Sequence, residues 1–342
     1  MIRVLVVDDS PLMRRIISRM LGRDQSIEVV GTAENGAEAI DKVEALKPDV
    51  VTMDVEMPRM NGLEALKYIM SRNPLPVVML SASTREGAGI TLDALNMGAC
   101  DFVPKDLSSG ALNLARIEEE LVRKVKVVAK RRIRSFAVKP EGGKGPLAFD
   151  GMGKSQRAIV VMGASTGGPP ALQHILTSLP GDFPVPIVIA QHMPKAFTQS
   201  FAERLNAMAQ IGVKEAENKE HLRPGVALLA PGDRHISVRR KGPETIIEFV
   251  EDPNYVYRPS VDLLFSGVAR VYESKAVAVI LTGMGTDGLN GVREIRAGNG
   301  YVIAQDEETS AVYGMPKAVV EAQLANSVAP VQKIAEEIIR VL

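Results

Sequence analysis

Residues 163–167, "GASTG", have the residue types of a serine nucleophile on a tight strand-to-helix turn. They fit the pattern G-x-S-x-G, in which small neighbours permit a sharp turn that exposes a hydroxyl, here that of Ser165. Glycine turns before helices also bind phosphate, so the motif alone leaves a phosphate-binding loop as the alternative. The run has neither a Walker lysine nor the dinucleotide pattern G-x-G-x-x-G, which makes a phosphate loop the less favoured interpretation.

A serine nucleophile needs a general base within hydrogen-bond reach, and the chain has four histidines. His192 directly follows the apolar run "PVPIVIAQ", which would place it at the carboxyl end of a strand, as Ser165 is. His235, in "APGDRHISV", is the second candidate because it comes just before another strand. His174 lies in an amphipathic helical pattern and His221 in a polar stretch, where structural and exposed roles are expected. His192 is therefore the predicted base.

The acid that would orient this base is predicted to be Asp287, in the glycine turn of "AVAVILTGMGTDGLNG". A helical pattern follows it, so the sequence leaves open whether Asp287 orients a histidine or only caps a helix. Backbone N–H groups of this turn could approach an oxyanion because it contains glycines at 283, 285 and 288. The chain order Ser, His, Asp differs from the order Ser, acid, His of the α/β-hydrolases, which indicates a separate solution to the same chemistry.

A second group of chemical residues stands in the first third of the chain, again after apolar runs. Asp8 and Asp9 follow the first run and Asp54 ends the third, so three carboxylates would meet at one sheet edge. Their repulsion favours a bound Mg²⁺ with oxygen ligands. Ser81 and Lys105 would add a hydroxyl and a cation that could stabilise a phosphoryl group moving onto Asp54. Any one of these residues could instead be a helix cap or a solvated loop residue, but five of them at strand ends favour a site.

Each of these two groups of residues needs a sheet to position it, and the hydrophobic pattern predicts two separate sheets. About 120 residues alternate apolar runs with helical patterns five times, which predicts an α/β, doubly wound (flavodoxin-like) parallel sheet. Near residue 121 the pattern changes to a basic stretch with seven Lys or Arg between 123 and 134, followed by Gly and Pro. A second α/β pattern begins at about 157 and predicts a parallel-sheet hydrolase domain. The predicted division is 1–121, a helix extension and flexible linker at 122–156, and 157–342.

The composition narrows the class of protein. The chain has 342 residues, 46% hydrophobic and 24% charged, and its formal net charge of zero gives no basic field that would favour a nucleic acid partner. One cysteine, Cys100, excludes an intrachain disulfide. No apolar run approaches the roughly 20 residues that a bilayer requires. We therefore expect a cytoplasmic protein that is not embedded in a membrane.

The first group of motifs resembles the receiver domain of two-component response regulators. The matching runs are "VLVVDDS", "DVVTMDVEMPRMNGLEAL", "PVVMLSAS" and "DFVPKD". The resemblance implies that Asp54 accepts a phosphoryl group from a histidine kinase. It also implies a Mg²⁺ site, and its ligands would be Asp8, Asp9, Asp54 and the backbone carbonyl of Glu56. Ser81 and Lys105 would contact the phosphoryl group, and Phe102 stands at the position of the switch aromatic.

The whole chain resembles the chemotaxis protein-glutamate methylesterases, the CheB family. The second half contributes "GASTGGP", "IAQHMP", "APGDRHISV", "RPSVDLLF" and "LTGMGTDG". The resemblance implies hydrolysis of glutamate γ-methyl esters on methyl-accepting chemoreceptors, at membrane receptor clusters, together with deamidation of receptor glutamines. The backbone N–H of Met284 would bind the oxyanion, and ester hydrolysis would need no cofactor. A neutral imidazole is the base, so activity should fall at acid pH, where an ordinary histidine becomes protonated.

Joining a phosphorylatable domain to a hydrolase predicts a switch, in which the unphosphorylated receiver hinders access to the catalytic crevice. Three other classes remain as alternatives. A DNA-binding response regulator is disfavoured because the second half has no evident helix-turn-helix. A nucleotide-binding regulator would use the "GASTGG" loop for phosphate, and a non-catalytic receptor-binding module would leave Ser165 without a chemical role.

Overall fold

The computed structural model of the chain describes five stretches, which are residues 1–82, 84–105, 111–130, 157–255 and 257–342. The chain separates into two units, Met1–Glu141 and Gly142–Leu342. Most of the flexible linker predicted within 122–156 lies outside the described residues. Among the described helices, none combines the length and the apolar character needed to cross a bilayer.

The first unit is built on a five-stranded parallel sheet. In chain order its strands are β1 (Ile2–Val7), β2 (Ile27–Ala33), β3 (Val50–Asp54), β4 (Val77–Ser81) and β5 (Asp101–Pro104). Its helices are α1 (Pro11–Gly22), α2 (Gly36–Leu46), α3 (Gly62–Arg72), α4 (Arg85–Asn96) and α5 (Ala111–Val128). The spatial order β2-β1-β3-β4-β5, with every pairing parallel, is that of the flavodoxin-like fold. The predicted doubly wound sheet is confirmed.

Helix α5 continues past residue 121, where the sequence pattern placed the domain boundary. Leu121, Val125 and Val128 lie one helical turn apart or slightly more, and all three are buried in the core of the first unit. The basic residues that begin at Arg123 therefore start within this helix, and the packing of the first unit extends to Val128.

The second unit is built on a seven-stranded parallel sheet. Its strands are β6 (Ile159–Ala164), β7 (Ile187–Gln191), β8 (Gly212–Glu215), β9 (Val226–Leu229), β12 (Ala276–Ile280), β13 (Tyr301–Gln305) and β14 (Ser327–Ala329). Two further strands, β10 (His235–Lys241) and β11 (Glu244–Val250), pair antiparallel in a sheet of their own. The helices are α6 (Gly168–Ser178), α7 (Lys195–Met208), α8 (Val261–Tyr272), α9 (Leu289–Ala297), α10 (Met315–Glu321) and α11 (Val331–Val341).

The order of this sheet, β14-β13-β12-β6-β7-β9-β8, changes direction at β6. The chain leaves β6 for β7 on one side and later returns to β12 on the other. Such a switch point opens a crevice beyond the carboxyl ends of the strands, where α/β proteins place their sites. The residues of β6, β7 and β12 are all buried, as expected for central parallel strands covered on both faces.

Three strands depart from the sequence-based expectation. The run "TIIEFVED" was expected within the second α/β pattern, and it forms β11, outside the parallel sheet. Two strands, β8 and β14, were not predicted as separate elements, whereas β10 was expected next to His235 and begins at that residue. The strands β8 and β14 lie at the edges of the sheet, and each has only one buried residue, so neither shows an apolar run in the sequence.

Candidate active site

Ser165 lies on the turn between β6 and α6, with its N–H donating to the carbonyl of Thr282 at 3.0 Å. Gly167 has φ +76°, a conformation that favours glycine, and a Cβ there would overlap the methyl group of Ala311. A Cβ on Gly168 would likewise overlap the side chain of Gln191. Two glycines of this loop are therefore required by turn geometry and close packing, which explains them without a bound phosphate.

Gln191, the last residue of β7, connects the serine turn with the histidine turn. Its side-chain amide donates to the backbone carbonyls of Ser165 and His192, each at 3.0 Å. The side chain is buried. Gln191 is not among the residues predicted from the sequence, although a polar residue at the end of an apolar run, next to a candidate base, was an available signal.

His192 bridges the predicted nucleophile and the predicted acid. Its Nδ1 lies 3.2 Å from Oγ of Ser165, and its Nε2 lies 2.8 Å from Oδ2 of Asp287. An ionised carboxylate only accepts hydrogen bonds, so Nε2 carries the proton of the neutral ring and Nδ1 is free to accept from the serine hydroxyl. The ring nitrogens are used in the opposite sense in the chymotrypsin triad, where Nε2 faces the serine.

Asp287 is held by the first turn of α8. Its carboxylate accepts from the N–H groups of Val261 at 2.8 Å and Asp262 at 2.9 Å, and from the hydroxyl of Ser260 at 3.1 Å. Burial would raise the pKa of Asp287, but hydrogen bonds from His192 and from these N–H groups outweigh burial and hold the pKa below its usual value. The positive end of the helix dipole acts in the same direction.

Capping of α9, the alternative role for Asp287, is not observed. The cap position of α9 is Gly288, with φ +100° and no side-chain hydrogen bond. The carboxylate turns instead toward α8, which precedes it by about 25 residues in the chain. The sequence could not reveal this because the contact depends on packing between α8 and the turn after β12.

The other three histidines lie elsewhere. His235 is buried, and its Nδ1 accepts from the N–H of Ser260 at 3.3 Å; burial and the charge of Arg258 lower its pKa. It therefore supports the start of α8 and is not hydrogen-bonded to the serine. His221 pairs with Glu244 at 2.8 Å, and partial burial on α6 lowers the pKa of His174.

The turn that holds Met284 lies directly beside the serine. A Cβ on Gly283 would lie 2.8 Å from Cβ of Ser165, so only glycine lets these backbones approach so closely. Within the described part of the chain, the N–H of Met284 donates no hydrogen bond. A backbone donor thus remains available next to the candidate nucleophile, where an oxyanion would form.

In the first unit, Lys105 bridges two of the three predicted carboxylates. Its ammonium lies 2.6 Å from Oδ2 of Asp54 and 3.0 Å from Oδ2 of Asp8. Burial raises the pKa of Asp54; Lys105 opposes that rise, and the charge of Asp8 adds to it. Carboxylate oxygens of Asp8, Asp9 and Asp54 all lie within 4.8 Å of one another. Such a set of hard oxygen donors, at the mouth of a crevice, fits Mg²⁺.

This crevice is a cavity of about 530 Å³ whose lining includes Asp9, Asp54, Glu56, Ser81 and Lys105. The Ser81 hydroxyl accepts from Thr91 at 2.6 Å. The residues that line this crevice include all those predicted for the receiver site except Asp8 and Phe102. Asp8 is connected to the crevice by its ion pair with Lys105.

Phe102 is buried on β5, next to a lysine that sequence analysis did not select. The ammonium of Lys124 lies 5.3 Å from the centre of the Phe102 ring and bonds Asp101 at 3.1 Å and Glu120 at 2.8 Å. This ion cluster fastens α5 to β5 beside the aromatic residue.

Comparison with known proteins assigns a family to each of the two units. A family model for the CheB methylesterase matches residues 160–338, and one for the response regulator receiver domain matches residues 4–116. The chain is 45% identical over 343 residues to the protein-glutamate methylesterase/protein-glutamine glutaminase of Halalkalibacterium halodurans, covering 99% of this chain and 98% of that protein. The chain belongs to the CheB methylesterase family.

Other members of the family are equally similar. The protein of the same description from Geobacillus kaustophilus is 45% identical over 344 residues and aligns with 100% of this chain and 99% of its own length. The crystal structure of the Thermotoga maritima CheB methylesterase catalytic domain matches with a TM-score of 0.53 and 44% identity, over 54% of this chain and 99% of that one. The family, enzyme class and fold expected from the sequence are thereby confirmed.

Proposed function

We propose that Ser165, His192 and Asp287 form the catalytic triad of a protein-glutamate methylesterase. The hydroxyl oxygen of Ser165 attacks the γ-carbonyl carbon of a glutamate methyl ester while Nδ1 of His192 takes its proton. Asp287 keeps the other proton of the ring on Nε2 and stabilises the imidazolium. The oxyanion of the tetrahedral intermediate accepts from the N–H of Met284. The hydrogen-bonded chain from Ser165 through His192 to Asp287 carries this proposal.

The second half of the reaction uses the same groups. The imidazolium of His192 returns its proton to the leaving oxygen, the carbon–oxygen bond breaks, and methanol departs from a glutamyl ester of Ser165. Water then attacks this ester with His192 again as base, which releases the glutamate carboxylate and restores the serine hydroxyl. A glutamine substrate follows the same course with ammonia as the leaving group. The ester hydrolysis needs no cofactor in this scheme.

The substrate is proposed to be a methyl-accepting chemoreceptor at a membrane receptor cluster, with the enzyme acting from the cytoplasm. The support is family membership and the names of the relatives, which are protein-glutamate methylesterase/protein-glutamine glutaminase. Nucleic acid is not a proposed partner, because the net charge is zero.

The first unit is proposed to accept a phosphoryl group on Asp54 from a histidine kinase. Asp8, Asp9, Asp54 and the carbonyl of Glu56 would hold Mg²⁺, which supplies charge neutralisation for phosphoryl transfer when it is bound. Lys105 and the Ser81 hydroxyl are placed to bind phosphoryl oxygens. Phe102 is proposed as the aromatic residue that responds to phosphorylation.

Phosphorylation is proposed to relieve inhibition of the hydrolase by the receiver. The proposed division is a receiver at 1–121, a helix extension and linker at 122–156, and a catalytic domain at 157–342. A small phosphodonor with Mg²⁺ should raise methanol release by the full chain, and Asp54→Asn should abolish this response. Asp41→Asn, an exposed aspartate on α2, is the matched control and should respond as the wild type does. A response that survives Asp54→Asn would reject the assigned phosphosite.

The deciding experiment for the hydrolase is methanol release from methylated receptors by the full chain. Ser165→Ala should remove turnover while receptor binding is retained, and the exposed Ser274→Ala should remain fully active. Unchanged turnover in Ser165→Ala would reject the triad. A non-catalytic binding module would show receptor binding with no methanol release in the wild type.

A further inference from the structure

The aromatic ring of Tyr257 stacks on the imidazole of His192. The ring centres are 4.8 Å apart and the planes differ by 14°. Tyr257 belongs to the segment that joins β11 to α8, so this contact brings a third chain segment to the histidine, beside those of Ser165 and Asp287.

The stack constrains His192 in a direction that its hydrogen bonds do not. Both ring nitrogens are engaged at the edge of the ring, Nδ1 toward Ser165 and Nε2 toward Asp287. Bonds at two edges leave the ring free to tilt about the line that joins them. A flat aromatic surface against one face opposes that tilt, and it does so without competing for either nitrogen.

The far end of Tyr257 reaches the turn that offers the oxyanion donor. Its hydroxyl lies 3.8 Å from the position that a Cβ on Gly285 would take, one residue after Met284. The side chain therefore extends from the base to the edge of the turn that carries Met284.

The stack also favours the charge that develops on His192 during the reaction. In the resting enzyme the ring is neutral, and it becomes an imidazolium when it takes the serine proton. A cation over an aromatic face is stabilised by the ring quadrupole, and this attraction is larger for the charged than for the neutral imidazole. An interaction that strengthens in the transition state raises kcat rather than substrate affinity.

We infer that Tyr257 is a positioning residue of the esterase, whose ring holds the plane of His192 and stabilises its imidazolium. The inference rests on the proposed hydrolysis by Ser165. It assigns the effect to the aromatic ring, and the hydroxyl has no part in it.

The test compares Tyr257→Phe with Tyr257→Leu in the full chain, with methanol release measured under one set of conditions. Tyr257→Phe keeps the ring and should retain kcat to within about twofold. Tyr257→Leu keeps an apolar side chain but loses the stack, and its kcat should be about tenfold lower with KM nearly unchanged. Thermal unfolding of both variants checks that the fold is retained.

A pH profile separates this role from a structural one. The charged and titratable groups near the triad include Asp262 at the start of α8 and His235 on β10. Arg258, Asp252 and Glu251 act on His235, and all of these groups remain in both variants. Loss of the stack disfavours the imidazolium, so the acid limb of kcat in Tyr257→Leu should lie roughly half a pH unit below that of Tyr257→Phe.

Three results would overturn the inference: equal losses in Tyr257→Phe and Tyr257→Leu, a change confined to KM, or an acid limb that does not move to lower pH. Failure of the proposed function is a separate outcome, since it requires Ser165→Ala to keep its turnover whatever the tyrosine variants do.

Discussion

The carboxylate of Asp287 lies 2.8 Å from Nε2 of His192 and is held in place by the first turn of α8. One helix terminus therefore orients the acid, and the acid orients the base. This arrangement makes the chemistry of the second unit depend on residues that lie more than 20 positions from Asp287 in the chain.

Asp287→Asn should lower kcat for methanol release by about 10³- to 10⁴-fold, because the carboxamide can donate to Nε2 and so favours the wrong tautomer of His192. KM should change little. The matched control is Asp262→Asn, the neighbouring carboxylate on α8, which bonds Gly291 and Asn290 and not the histidine. A loss below tenfold in Asp287→Asn, or an equal loss in the control, would contradict the assignment of the acid.

The lowered pKa of Asp287 predicts how stability depends on pH. The folded chain releases this proton more readily than the unfolded chain, so the carboxylate stabilises the fold at pH values above the unfolded pKa of about 3.9. That contribution is lost as the pH falls through the lower pKa of the folded state. Urea unfolding should show the wild type to be more stable than Asp287→Asn above roughly pH 5. The advantage of the wild type should shrink below about pH 4, and a difference that grows there would contradict the direction of the shift.

Ser260 should affect catalytic activity because it bonds Asp287, and it should affect the stability of the fold because it caps α8. Its hydroxyl donates to Asp287 at 3.1 Å and accepts from the N–H of Leu263 at 3.3 Å. Ser260→Ala should lower kcat about tenfold, by loss of one charge-assisted hydrogen bond, and destabilise the fold by about 1 kcal/mol. Ser260→Gly also lacks the hydroxyl but costs a helix start only a few tenths of a kcal/mol. We expect the two variants to lose the same amount of kcat but to differ in unfolding free energy. If the variant with the lower unfolding free energy also lost more kcat, the link to Asp287 would be refuted.

Mg²⁺ binding to the first unit should respond in opposite directions to two substitutions. Asp9→Asn removes one anionic ligand and should weaken binding at least about tenfold in calorimetric titrations. Lys105→Met removes the ammonium that lies 2.6 Å from Asp54, and lower repulsion should strengthen Mg²⁺ binding severalfold. Asp41→Asn again serves as the control, with unchanged affinity. Weaker binding in Lys105→Met, or no effect of Asp9→Asn, would argue against this carboxylate site.

Lys124 should be far more important for stability than Lys126, two residues later on the same helix. Burial would lower the pKa of Lys124, but Asp101 and Glu120 raise it above its usual value, so the residue is charged in the fold. Lys124→Met would break the buried ion pair with Asp101, and the unfolding free energy should fall by about 3 kcal/mol in urea titrations. Lys126→Met breaks only an exposed pair with Asp24 and should have a much smaller effect on the unfolding free energy. Similar effects of the two substitutions would refute a buried ion cluster.

Sequence by itself determined the features of this protein that depend on local order along the chain. Apolar runs bounded by polar residues specified the central strands, and Ser165, His192 and Asp54 could be selected because they stand directly at strand ends. Parallel strands bring their carboxyl ends to one edge, so residue type and strand position together predicted which side chains would meet. The edge strand β14 was not predicted because its three residues are too few to show a hydrophobic period.

Tertiary structure decided what depends on contacts between distant segments. Whether Asp287 capped α9 or faced a histidine was undecidable from its neighbours, since the carboxylate bonds α8 and His192, neither of which adjoins it in the chain. Gln191, Ser260, Lys124 and Tyr257 likewise gain their roles only through packing. The glycines of "GASTGG" suit a phosphate loop as well as a nucleophile turn. Only the close approach of Ala311 and Gln191 shows that the space a side chain would need at Gly167 and Gly168 is already filled.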